Sequence, residues 1–241
     1  MTIVAPQLNK TNDPAALAMI YARTGHVRVP CVTTSNYADQ LLQNLRERSD
    51  WRQVISSSGG AKVVELDRAT QAGLSNEQRR QLDEAIYAGA RGGFQFRYEA
   101  LRVPDAEEER ARSGDSLARF AEWMSHGAMR DLLRQVTGED AIDFADAQAT
   151  AFAPGDLLTG HDDVVDGRKR HAAYVFGLNP TWRPEWGGLL LFHRESGRIE
   201  GHAPSFNTLD IFRVGQMHSV SEVSRATPFR RYSVTGWLRS R

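Results

Sequence analysis

Apolar residues recur at helical spacing through the first half of the chain and alternate with polar ones in short runs through the second. Residues 6–23 read as an entry segment with a short helix from about Pro14. Residues 27–33 (VRVPCVT) read as a short strand. Pro30 has no backbone N–H to give, which confines that strand to an edge or an end. Residues 35–48 open on a Ser-Asn capping signal, after which Leu41, Leu42 and Leu45 recur at helical spacing. Residues 51–64 are mixed, with SSSGG at 56–60 as a turn. Residues 75–90 open on SNEQ, a capped start, and carry Leu82, Ile86 and Tyr87 on one face until Gly92 and Gly93 end the helix. Residues 94–101 (FQFRYEAL) alternate as a half-buried strand does. The charge run 105–113 is expected to be a solvated loop, and 116–136 to be two helices broken near Gly127.

Beyond Gly138 helical patterning fades. Strand-like runs follow at 147–152, 172–178, 188–192, 209–214, 218–223 and 231–238. Turn signals such as Pro154-Gly155, Asn179-Pro180 and Ser196-Gly197 separate them. Many short strands so spaced belong to a sandwich or barrel, not to a parallel α/β sheet. The fold class is therefore α+β: one domain over 1–241. About 1–140 form mostly helical support, and about 141–241 form an antiparallel jelly-roll core. A bare jelly roll exposes a face and edges, and helices commonly cover one of them.

Composition narrows the choices. Lys+Arg and Asp+Glu both number 30, so no global field marks nucleic acid or an anionic membrane as partner. The single cysteine, Cys31, rules out an internal disulfide framework and a cysteine-based zinc cluster, and fits a reducing compartment. Mean hydropathy is −0.48 and the apolar runs are short, so no membrane span is expected. The first residues lack the basic-then-apolar layout of a secretory signal. These features describe a soluble, cytoplasmic protein.

The chemistry is concentrated in His161-Asp162-Asp163, between two strand-like runs, and His218, which opens a later one. Two imidazoles and one carboxylate on one face of a six-coordinate metal leave three positions open. That is the facial set of non-haem Fe(II) oxygenases, where 2-oxoglutarate takes two positions and oxygen the third. On a strand, residues i and i+2 project to the same side, which suits His161 and Asp163. His26, His126, His171, His193 and His202 compete as ligands, and His193 and His202 flank a turn-rich stretch that offers another scheme. The run after His218 opens on Arg231, and a guanidinium pairs bidentately with a carboxylate such as the far end of 2-oxoglutarate. Arg230 is its rival, since strand alternation lets only one of the two face inward. Asp162 and Glu222 are expected to face away from the metal.

In order along the chain stand GDLLTGHDD at 155–163, GRKR at 167–170, LNPTW at 178–182 and GGLLL at 187–191. After these come PSFNTL at 204–209, FRV at 212–214, HSVSEV at 218–223 and RYSVTGW at 231–237. This series, over about the last third of the chain, resembles the prolyl hydroxylase branch of the 2-oxoglutarate oxygenases. Within it the series is most similar to the ribosomal-protein prolyl hydroxylases of eukaryotes and their bacterial single-domain relatives. The resemblance implies a double-stranded β-helix, Fe(II), 2-oxoglutarate and O2, with ascorbate as a further candidate. It implies hydroxylation of a prolyl residue in a protein or peptide, a ribosomal protein or translation factor among the candidates, with succinate and CO2 as coproducts. It assigns His161, Asp163 and His218 to iron, Arg231 to the cosubstrate carboxylate, and Arg170 and Trp237 to the peptide. The family often carries tyrosines where this chain has Phe152 and Gly177, and Tyr174 and Ser233 are the candidate replacements at the cosubstrate. Two other readings stand beside this one: a hydroxylase of a free amino acid or other small metabolite, and a non-catalytic sensor of metal or 2-oxoglutarate.

Overall fold

The computed structural model describes residues 4–57, 60, 62–167 and 169–240. Four helices precede the fourth strand. α1 (Pro14–Thr24) is capped by Asp13, and α2 (Ser35–Glu47) by Thr34, one residue ahead of the expected signal. The short α3 (Arg68–Gly73) leads to α4 (Asn76–Gly92), which Ser75 and Gln78 close with a reciprocal capping box. Between them lie β1 (His26–Val29) and a hairpin, β2 (Arg52–Ser57) with β3 (Lys62–Asp67). Ser58 and Gly59 of the expected 56–60 turn lie outside the described residues. After β4 (Phe96–Arg102) come α5 (Glu107–Ser113), α6 (Ser116–Ser125) and α7 (Gly127–Thr137).

The charge run is thus a helix, not a solvated loop. Glu107, Glu108 and Glu109 fill its first turn, where carboxylates favour the helix dipole. Arg110 turns inward, donating to the carbonyls of Pro104 (2.6 Å) and Ala145 (3.2 Å) with its guanidinium 4.5 Å from the Phe144 ring. A seven-residue helix with one inward residue leaves no apolar period to read.

The remaining strands are β5 (Phe144–Ala145), β6 (Gln148–Phe152), β7 (Leu157–His161), β8 (Arg170–Leu178), β9 (Leu190–His193), β10 (Ile199–His202), β11 (Phe206–Arg213), β12 (His218–Val220) and β13 (Arg231–Arg239). They join one curled antiparallel sheet in the order β1-β11-β8-β13-β6-β4-β7-β12-β9-β10. The first half of the chain therefore does more than supply helices. β1 pairs with β11, and β4 lies between β6 and β7, paired with both.

The two sides of the sheet bury different things. On β8, Ala172, Tyr174, Phe176 and Leu178 join the main core with Phe120, Leu41 and Leu133 from the helices. Ala173 and Val175 face the other way, into a smaller cluster with Leu190, Phe192 and Phe212. Because both faces of β8 are covered, it reads as a continuous apolar run, without alternation. The curled sheet with its helical backing is the jelly-roll half-barrel that the strand spacing predicts, and its concave side holds the site.

Candidate active site

Two strands bring the histidines together. His161 ends β7, His218 opens β12, and the antiparallel pairing sets them directly opposite, with ring centroids 4.1 Å apart. Each Nδ1 faces the backbone carbonyl two residues earlier: Thr159 at 3.0 Å and Gln216 at 2.8 Å. A carbonyl only accepts, so Nδ1 carries the proton and each Nε2 keeps its lone pair for a ligand. Burial and the neighbouring His161 push the His218 pKa down to about 4 against the pull of Asp163, so this imidazole is neutral at physiological pH.

Asp163 arrives differently from the expected strand neighbour. The chain leaves β7 after His161, and Asp163 has a left-handed backbone at φ 63°. Aspartate tolerates that region better than most side chains. The turn swings the carboxylate back, with Oδ1 3.5 Å from His161 Nε2 and Oδ2 3.4 Å from His218 Nε2. The three ligand atoms lie within 4.8 Å of one another. Donors each about 2.1 Å from a shared ion sit ~3 Å apart, so this cluster needs little movement to hold one. The other five histidines are engaged elsewhere: His26 with Arg194, His126 with Glu122, His171 with Ser240, His193 with Ser219 and His202 with Asp210. A second group, Glu107, Glu122 and His126, gathers on the helical layer away from the concave side.

The histidines and Asp163 line one end of a cavity of about 240 Å³ whose wall also includes Arg231. Arg231 is 4% exposed. Its Nη1 donates to Ser233 Oγ at 3.3 Å, its Nε has no partner, and no ion pair to it is found among the described residues. Burial pushes its pKa down to about 10, with Asp210 pulling the other way. A buried guanidinium without an anion is costly, so the cavity fits a negatively charged ligand. Arg230 points outward and pairs with Glu99. Alternation along β13 thus sends Arg231, and not Arg230, into the barrel.

The other candidate residues separate. Ser233 lies on the inward face with Arg231, its hydroxyl 2.8 Å from that of Thr150. Tyr174 is among the residues that line the cavity, but its side chain packs in the helical layer and its hydroxyl donates to the Asp146 carbonyl at 2.7 Å. It stands on the even-numbered face of β8, one residue out of phase with Ala173 and Val175. Gly177 has the inward parity, but a Cβ there would meet the Ser205 carbonyl oxygen at 2.5 Å. Trp237 lines the cavity, and the Arg170 guanidinium lies 3.5 Å from its ring centroid while Nη1 donates to the Asp163 carbonyl at 2.9 Å. Arg168 of the 167–170 motif is outside the described residues. Asp162 closes the turn by accepting from the Val164 N–H, and Glu222 is exposed, accepting from Tyr87. Inward residues not singled out from sequence include Phe94, Phe96 and Tyr98 before and along β4, and Gln148 and Thr150 on β6. The alternation of 94–101 is the only signal for the β4 residues, and it does not tell which strands β4 will join; Gln148 and Thr150 lie in the strand-like run 147–152.

A curled antiparallel sheet whose cavity is lined by two histidines, an aspartate and a buried arginine without an ion pair offers a place for a metal ion and an anionic ligand. Residues 147–239, somewhat less than half of the chain, match the family model described as the 2OG-Fe(II) oxygenase superfamily. That family implies Fe(II), 2-oxoglutarate and O2. The chain is similar to prolyl 3-hydroxylase OGFOD1 of Mus musculus, 32% identical over 118 residues, which cover 45% of this chain and 21% of that protein. The match thus spans about a fifth of the relative's length. Its fold is similar to that of a Pseudomonas putida prolyl-4-hydroxylase, with TM-score 0.62 and 18% identity over 95% of this chain and 100% of the other. It is also similar to a prolyl hydroxylase from Trichoplax adhaerens solved with a hypoxia inducible factor oxygen degradation domain peptide fragment. There the TM-score is 0.59 and identity 15% over 94% and 89% of the two chains.

Proposed function

We propose that this chain hydroxylates a prolyl residue in a protein substrate, using Fe(II), 2-oxoglutarate and O2 and releasing succinate and CO2. The observation that carries the proposal is the placement of three converging ligand side chains and an unpaired buried Arg231 in one cavity. His161, Asp163 and His218 hold the iron through two Nε2 atoms and a carboxylate. Bound there, iron supplies the chemistry that couples loss of CO2 from 2-oxoglutarate to oxidation of a substrate C–H bond.

The protein's own groups do the positioning. The Thr159 and Gln216 carbonyls hold both imidazoles in the ligating tautomer. Arg231 takes the far carboxylate of 2-oxoglutarate, and Ser233 orients the guanidinium. Phe94, Phe96, Phe152 and Val220 keep that wall apolar and exclude water. Trp237, with Arg170 stacked on it, faces the substrate side, and an aromatic face there suits a pyrrolidine ring.

The prolyl substrate is supported by the names of the relatives above, and a ribosomal or translation-factor target by the motif resemblance. Ascorbate is the accessory reductant in this reading. The described residues act as one oxygenase unit, because β1 and β4 belong to the same sheet as the ligand-bearing strands. No described helix is long and apolar enough to cross a membrane, and we place the protein in the cytoplasm.

The test is succinate formation by anaerobically reconstituted Fe(II) protein given 2-oxoglutarate and O2, with protein or small-molecule fractions of a cell extract. Stimulation by the protein fraction, lost in His161→Ala, is the expected result. Stimulation only by small molecules would assign a metabolite substrate instead. No succinate from iron-loaded protein in any fraction would indicate a sensor.

A further inference from the structure

The cavity wall carries a donor that the ligand cluster and Arg231 do not account for. Tyr98 lies on β4, and the pairing of Glu99 with Ala151 places it across from Phe152 on the inward face. The two rings stack with centroids 5.0 Å apart and 26° between planes. On the other side of Phe152, the Arg231 guanidinium lies 5.2 Å from the same ring. Phe152 is therefore held between a phenol and a guanidinium, both lining the cavity that His161 and Asp163 also line.

The other hydroxyls near this wall belong to Thr150, Ser233, Tyr174 and Thr235. Thr150 and Ser233 bond one another, and Tyr174 donates to the Asp146 carbonyl. Ala173, Val175, Leu190 and Val220 offer the cavity no polar side-chain atom. Burial raises the Tyr98 pKa, a side-chain hydrogen bond with Gln148 lowers it, and the charges of Arg102 and Asp163 act in opposite senses. The phenol accordingly keeps its proton at neutral pH and can donate.

We infer that Tyr98 is a cosubstrate-binding residue, its hydroxyl donating to the oxo acid held between Arg231 and the three ligand side chains. The inference rests on the 2-oxoglutarate reading given above. It also gives Phe152 a role: the aromatic spacer that fixes the distance between the two anion-binding groups. The hydroxyl comes from the strand beside Phe152 instead of from Phe152 itself.

The test is calorimetric titration of 2-oxoglutarate into Mn(II)-loaded protein, with wild type, Tyr98→Phe and Arg231→Met compared after each has been titrated with Mn(II). Loss of one hydrogen bond to a charged ligand predicts about tenfold to hundredfold weaker 2-oxoglutarate binding in Tyr98→Phe, with Mn(II) affinity unchanged. Unchanged 2-oxoglutarate affinity in Tyr98→Phe, with strong loss in Arg231→Met, overturns the role of Tyr98 and leaves the cosubstrate reading intact. A parallel fall in Mn(II) affinity in Tyr98→Phe also overturns it, because the residue then acts on the fold of the site. No 2-oxoglutarate binding by wild type overturns both.

Discussion

His161 and His218 face each other in register across β7 and β12, and each is locked by the carbonyl two residues before it. The same local device on opposed strands turns both Nε2 atoms toward Asp163, so the geometry of the proposed metal site is built from sheet pairing more than from loop packing. Replacing His218 with alanine removes a proposed ligand without disturbing the main core, to which it does not belong. We expect Mn(II) affinity to fall at least about a hundredfold by calorimetry, with an unchanged far-UV circular dichroism spectrum. Retained affinity would refute the assignment.

Arg231 is a cation buried without an ion pair, so its replacement should divide stability from binding. Arg231→Met should raise the ligand-free Tm by about 2–4 °C, equivalent to ~1 kcal/mol in a chain of this size. The same variant should lose the stabilisation that 2-oxoglutarate gives wild type, ~2.7 kcal/mol at a hundredfold excess over Kd. Differential scanning calorimetry with and without 2-oxoglutarate reads both. A lower ligand-free Tm would mean that the guanidinium is structural.

Gly177 lies where the Ser205 carbonyl crosses close to β8, next to a register shift in the β11 pairing. A methyl group there must displace backbone. Gly177→Ala should therefore cost about 1–3 kcal/mol in chemical denaturation. An unaffected midpoint would show that the strand yields without strain.

Acid should loosen the β1 edge. His26 stacks on Phe192 at 4.1 Å, accepts from Arg194 Nη2 at 2.9 Å and lies 5.6 Å from His202. Burial first, then Arg194 and His202, lower its pKa below 6.5, against Thr24 and Glu200. A depressed histidine favours the fold while neutral. Its contribution is therefore complete above the unfolded value and is lost as pH falls from about 6.5 toward the folded value, by at most about 1.4 kcal/mol per pH unit. Urea melts between pH 7.5 and 5 should show a shallower decline in His26→Gln than in wild type. Parallel declines would exclude His26 as a source.

The convergence of His161, Asp163 and His218 was legible because a metal site needs particular residue types, and these three stand out as such. The route of Asp163 was not: the i, i+2 rule presumes a continuing strand, and the chain turns left-handed instead. Parity explains Tyr174. A strand buried on both faces hides its phase, so nothing in AAYVFGL tells which residues look inward. Arg231 and Arg230 likewise needed the observed pairing of Arg231 with Phe152 to be told apart. Tyr98 was hidden for a longer-range reason, since the partner of a strand fifty residues upstream is fixed by sheet topology and not by local pattern.

The insertion of β4 between β6 and β7 bears on how this molecule can be divided. The stretch 147–239 contains every proposed iron ligand and Arg231, yet β6 and β7, neighbours in sequence, are joined in the sheet only through β4. Cut there, the chain would keep the whole ligand inventory as two separate ribbons, with His161 and His218 on one and Arg231 on the other. The matched stretch is contiguous in the sequence, but the cavity proposed to hold a cosubstrate is stitched together by a strand from outside it.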